Sequence, residues 1–133
     1  MERTLSEIAD SLCRRLKKKG FHLLRYDAIT TGSIYLKLDY GVCNSIRISD
    51  HKGKQKLKYR YNIGTNITKR SDIQDGYRRF YYPAEEEDRL VQQIVSDRKA
   101  KQDRYGARYQ AFVAENKQRK GQERGFWSSS YPV

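Results

Sequence analysis

Apolar positions change their period along the chain, and each change marks an element. Leu5, Ile8, Ala9, Leu12, Cys13 and Leu16 recur at helical spacing and make one stripe. Thr4 and Glu7 stand three apart before that stripe, as in a capping box, where each satisfies the other's free backbone N–H. Lys17, Lys18 and Lys19 lie where the helix dipole favours cations, and Gly20 suits a left-handed cap. The period then falls to two. Residues 21–29 read as a strand and 31–33 as a turn, after which Ile34, Leu36 and Leu38 alternate with Tyr35, Lys37 and Asp39. Beyond a turn at 41–44, Ile46 and Ile48 alternate with Arg47 and Ser49. Beyond another at 50–54, Leu57, Tyr59, Tyr61 and Ile63 alternate with Lys56, Lys58, Arg60 and Asn62. The pattern predicts an α+β fold: a helix packed on an antiparallel meander of three or four strands. Lys37, Arg47, Lys56, Lys58 and Arg60 should then share the face turned away from the helix.

The second half is less regular. Residues 65–82 show no steady period and are expected to form a long basic and aromatic loop. From Pro83 to residue 120 the pattern is helical, opened by an acidic first turn at Glu85, Glu86, Glu87 and Asp88. Its apolar residues form two patches, Leu90, Val91, Ile94 and Val95, then Tyr105, Tyr109, Phe112 and Val113. Residues 96–104 offer only Ala100 between them. This arm, part of the 1–64 domain or an appendage to it, therefore either bridges solvent or breaks in two. Its separated patches also leave homodimerisation through the arm open. Residues 121–133 read as a tail anchored by Phe126 and Trp127.

Charge narrows the partners. The chain carries 28 Lys and Arg against 16 Asp and Glu, a net charge of +12. Residues 51–80 hold nine bases against two acids, a local +7, while 81–96 hold one base against four acids, a local −3. A basic field of this size steers polyanions, so nucleic acid or a nucleic-acid-bound effector protein is the expected partner. Cys13 and Cys43 form neither a CxxC pair nor a Cys/His cluster, which fits free thiols in a reduced cytoplasm. No apolar run approaches the ~20 residues of a membrane span, and no motif calls for a metal or cofactor.

Ser49-Asp50-His51 invites a catalytic reading. Adjacent strand residues point in alternating directions, however, so the three cannot form a triad by themselves. Asp50 is expected to organise a turn, and His51 is the one candidate general base. Binding is the better expectation. Lys56, Lys58 and Arg60 on one strand face would stand about 6–7 Å apart, and Lys52 and Lys54 extend the row. In 77–82, Tyr77, Phe80, Tyr81 and Tyr82 interleave with Arg78 and Arg79, a mixture suited to stacking bases and holding phosphates and equally to protein interfaces.

The runs "LKKKGF", "TGS" and "SIRISDHKGK" resemble the N-terminal part of HicA-type toxins, small ribonucleases with a double-stranded-RNA-binding-like α-β-β-β-α fold. In that family the catalytic histidine follows a Gly-Ser pair, whereas Ile34 and Tyr35 follow Gly32-Ser33 here. The resemblance therefore implies the scaffold without that histidine. "GSIYLKLD" and "IRISDHKGK" are also similar to small bacteriophage and prophage proteins, some of which inhibit host defences in the anti-CRISPR manner. The expected function is non-enzymatic binding of nucleic acid or of a nucleic-acid-processing complex, as in a phage inhibitor of host defence. A ribonuclease using His51 and a pure protein-interaction module are the alternatives.

Overall fold

The computed structural model describes residues 3–64, 77–120 and 125–133, with the side chains of Tyr77, Arg78 and Phe126 left aside. The first helix, α1 (Leu5–Lys18), begins at the expected capping box: Glu7 N–H donates to Thr4 Oγ1 at 3.1 Å and Thr4 N–H to Glu7 Oε1 at 3.0 Å. It ends in a Schellman closure. Gly20, at φ 85°, donates to the Lys17 carbonyl, and Phe21 donates to that of Leu16.

The strands are β1 (Leu23–Asp27), β2 (Ile34–Leu38), β3 (Ser45–Ile48), β4 (Tyr59–Gly64), β5 (Tyr77–Tyr82) and β6 (Tyr131–Pro132). They form one antiparallel sheet in the order β5-β4-β3-β2-β1-β6, so the predicted meander is extended at both edges. Part of the expected loop is a strand. In β5, Phe80 pairs with Tyr61 and Tyr82 with Tyr59, while Arg79 and Tyr81 face the other way. Aromatic residues on both faces had hidden its period of two. The rest of that loop, 65–76, lies outside the described residues. The tail also joins the sheet, through only two residues of β6 beside Leu24 and Arg25.

Leu36, Leu38, Ile46, Ile48, Tyr59 and Tyr61 point to one side and are fully buried beneath α1 and α2 (Glu87–Tyr105). The predicted arm breaks at Gly106 (φ 56°, ψ −133°), where α3 (Ala107–Arg119) begins. Both helices dock on the sheet layer through polar groups as well as apolar ones. Buried Glu87 accepts from Ser11 Oγ at 3.1 Å and Tyr59 OH at 3.2 Å, and Tyr61 OH donates to Asp97 at 2.8 Å.

The firmest tie is Asp39, whose side chain is 0% exposed. Its carboxylate accepts from His22 N–H at 3.0 Å, Arg98 Nε at 2.7 Å and Tyr109 OH. Arg98 in turn donates to the Lys19 and Gly20 carbonyls at the end of α1 and lies 4.2 Å from the centre of the Phe21 ring. Removing one partner of such a pair strands a buried charge. Asp39→Ala should therefore lower unfolding free energy by about 3–5 kcal/mol, measured by urea denaturation. The double variant with Arg98→Leu should lose less than the two single losses added. A single-variant loss below about 1 kcal/mol would refute the assignment of Asp39 as the central tie.

Candidate nucleic-acid interface

The sheet face turned away from the helices is built by register. Tyr26 stands opposite Tyr35, Tyr35 opposite Arg47, Arg47 opposite Arg60, and Arg60 opposite Tyr81. One row thus crosses five strands with two guanidiniums at its centre. A neighbouring row carries Lys37, Ser45, Asn62 and exposed Arg79. Trp127, from the 3₁₀ turn Gly125–Ser129, packs edge-on to Tyr35 with Lys37 Nζ 4.6 Å from its ring centre, so the tail anchor expected at Trp127 sits on this face.

Like charges directly opposite each other in a sheet are destabilising. Arg47 and Arg60 are nevertheless placed so, and among the described residues no carboxylate forms an ion pair with either. The Nε atoms of both are buried without a hydrogen-bond partner among the described residues. Burial, then Arg47, then Arg79, lowers the pKa of Arg60. Arg47 donates through Nη2 to Ser33 Oγ at 3.2 Å and lies over the Tyr35 ring.

A cavity of about 400 Å³ opens beside the arginine pair. Ser33 and Ser49 line it, with Ser33 Oγ donating to Ser49 Oγ at 3.0 Å. Thr31 and Lys52 reach it from turns, and Tyr81 from β5. His51 lies on its wall, 7% exposed, edge-on to Tyr81 with ring centres 5.4 Å apart. Its Nε2 is buried and has no partner among the described residues. Burial first, then Arg47 and Arg60, pushes its pKa down from 6.5 to about 4, against a weaker upward pull from the Lys58 backbone and Asp50.

No protein-family model, curated protein or solved structure matches this chain.

Several sequence expectations come together here and others do not. Lys37, Arg47, Arg60, Arg79 and Tyr81 share the open face, and Lys54 Nζ lies 5.2 Å from the Tyr81 ring centre. Lys56 and Lys58 do not continue the row along a strand. The strand starts only at Tyr59, because residues 51–57 are taken up by a turn in which Lys54 donates to the His51 carbonyl and Leu57 to that of Lys54. Lys56 is exposed in that turn, while Lys58 forms an ion pair with Asp50, and that side-chain pairing is what Asp50 contributes to the turn. The Tyr77 and Arg78 side chains lie outside the described residues. Tyr26, Tyr35 and Ser33 escaped notice, since only the register shows that they flank the arginines. The two histidines are apart: His22 is exposed beside Tyr40. The cavity's one carboxylate among the described residues, Asp50, is engaged with Lys58, so no acid–base pair is assembled around His51. Those residues also contain no cluster of metal ligands and no helix long and apolar enough to cross a membrane.

The depressed pKa of His51 gives a pH dependence of definite sign. The unfolded ring takes up a proton near 6.5 and the folded ring only near 4, so the unfolded state binds more protons between those values. The stability contributed by neutral His51 is complete above pH 6.5 and falls as pH drops toward 4. The ring should titrate near 4 by NMR, moving upward in Arg47→Ala. Titration near 6.5 would contradict the burial of this ring in a cavity shared with Arg47 and Arg60.

Proposed function

We propose that this protein binds single-stranded nucleic acid across the open face of its sheet, and acts by binding rather than by catalysis. The row Tyr26, Tyr35, Arg47, Arg60 and Tyr81 carries the reading. Five strands at their ordinary spacing make that row about 19 Å long, enough for several nucleotides. Its outer tyrosines offer rings to bases, and its central guanidiniums, lacking carboxylate partners among the described residues, offer donors to phosphate. A broad sheet face suits a single strand with splayed bases better than the narrow grooves of a duplex. Lys37 and Arg79 in the next row, and Lys52 and Lys54 in the turn, widen the positive field. An inhibitor of a nucleic-acid-processing host-defence complex would meet its target through this same face.

The ribonuclease alternative has one point in its favour, the unpartnered Nε2 of His51 in a cavity beside arginines. A base with a pKa near 4 is poorly matched to proton abstraction at neutral pH, which favours binding.

Fluorescence anisotropy with labelled RNA and DNA oligomers tests the reading. Arg60→Ala should weaken binding about ten-fold, as expected for a lost charged hydrogen bond, and reduce the slope of log affinity against log salt by about 0.7. Lys58→Ala, whose charge is already paired with Asp50, should change both less. Trp127 is the sole tryptophan and sits on the face, so its emission should change on binding. The RNA should remain intact. Equal affinity in wild type and an Arg47→Glu, Arg60→Glu double variant would overturn the interface, and RNA cleavage abolished by His51→Gln would overturn the binding-only reading.

A further inference from the structure

Holding a strand along the face requires only the row of rings and guanidiniums. The cavity beside it is more elaborate than that. Arg47 comes from β3 and Arg60 from β4, so two strands present charge to one space. Ser33 accepts from Arg47 and donates to Ser49, which leaves the Ser49 hydroxyl hydrogen uncommitted among the described residues. Lys52 stands on the same wall. A further group is His51, more than nine-tenths buried, which lines the cavity and whose Nε2 is buried with no partner among the described residues. Backbone contacts to Lys58 hold the ring while Tyr81 packs against it. The arrangement offers several donors converging on one site and, among the described residues, one acid, already engaged with Lys58.

An internal phosphodiester brings a single negative charge. A terminal phosphomonoester brings between one and a half and two near neutral pH, with three strong acceptor oxygens and a second pKa of about 6. Two opposed guanidiniums, a hydroxyl and an ammonium match the second group better than the first. Resting on the strand-binding reading, we propose that this cavity holds the terminal phosphate of a nucleic-acid strand, and that His51 takes up a proton as the phosphate enters. The proton comes from solvent or from the monoanionic phosphate itself, and it turns Nε2 from an idle acceptor into a donor.

The charges around His51 set the direction of this coupling. Arg47 and Arg60 face it from β3 and β4. Asp50, Lys52 and Lys54 belong to its own turn, Lys58 follows it, and Tyr81 packs on it from β5. In the empty site the two arginines oppose a charge on the ring. A bound dianion reverses the sign of the field, so the ring gains basicity and binding tightens as pH falls from 8 toward 6.

The test compares one oligonucleotide bearing a 5′-phosphate, a 3′-phosphate or hydroxyls at both ends. One phosphorylated form should bind about ten-fold more tightly than the hydroxyl form at pH 6.5, with a smaller ratio at pH 8. Inorganic phosphate should compete away that increment, and the His51 ring should titrate higher in phosphate than in chloride. The ratio should fall toward one in His51→Gln and, with less risk to folding, in Ser49→Ala. A ratio of one at both ends, with the hydroxyl strand still bound, would overturn the phosphate site and leave the strand interface standing. Failure to bind any of the three would overturn both. A strong effect of free phosphate on the His51 titration without any end preference in the strand would identify an ion site and also overturn the proposal.

Discussion

A fully buried carboxylate is the polar tie on which the helical half and the sheet converge. Asp39 sits where β2 ends, and it is reached by the start of β1, by Arg98 of α2 and by Tyr109 of α3. Its backbone is strained, since Asp39 and Tyr40 both occupy the left-handed region, at φ 49° and 55°. Such residues cost of order 1–3 kcal/mol each and persist only where the surroundings over-determine them. Here the over-determination is visible: Asp39 N–H donates to His22 O at 2.7 Å, Val42 N–H returns to the Asp39 carbonyl, and Asn116 donates to the Tyr40 carbonyl at 3.0 Å. Lys101 closes the same turn from α2 by donating to Val42 O and Asn44 Oδ1. The polar stretch between the two apolar patches of the helical region thus becomes the part that grips the sheet.

That grip decides which face stays open. Once α1 and α2 cover the aliphatic side, whatever the alternate residues carry must face outward. At the sheet centre they carry Arg47 and Arg60, opposite each other and without a carboxylate partner among the described residues. Elsewhere the same chain does neutralise arginine taken from solvent: buried Arg25 meets Asp10 at 2.6 Å and Asp27 at 2.7 Å, and half-buried Arg98 meets Asp39. The contrast matters because the arginine pair breaks a rule that the rest of the structure keeps. Local conflicts of this kind tend to mark functional positions.

Much of the fold was legible in the sequence for a simple reason. Where one face is buried and the other polar, as in β2 and β3, the alternation is clean, and the capping box announces α1. Legibility fails where that contrast disappears. β5 carries rings on both faces, β6 has only two residues, and the alternation that leads into β4 begins at Lys56, inside a turn. The candidate site was legible in its residue types and illegible in its grouping. Lys37, Arg47 and Arg60 could be assigned to a face by parity, but the hydrogen bonds of Ser33 to Arg47 and to Ser49, and the burial of His51 beside them, depend on cross-strand register. Nothing local in Ser49-Asp50-His51 distinguishes a solvated turn histidine from one walled in by two guanidiniums.

The position of His51 also bears on what kind of site this is. A catalytic base is useful when its pKa lies near the working pH, and the surroundings here move it the other way, by burial and by two positive neighbours. The same surroundings are what an anion would relieve. Charge entering between Arg47 and Arg60 lessens their mutual repulsion and gives acceptors to donors that have none among the described residues. The unliganded arrangement is therefore held at some cost in stability, which the Asp39 network and the aliphatic core offset. Any anion that fits recovers part of that cost on binding, so occupancy and folding stability must rise together.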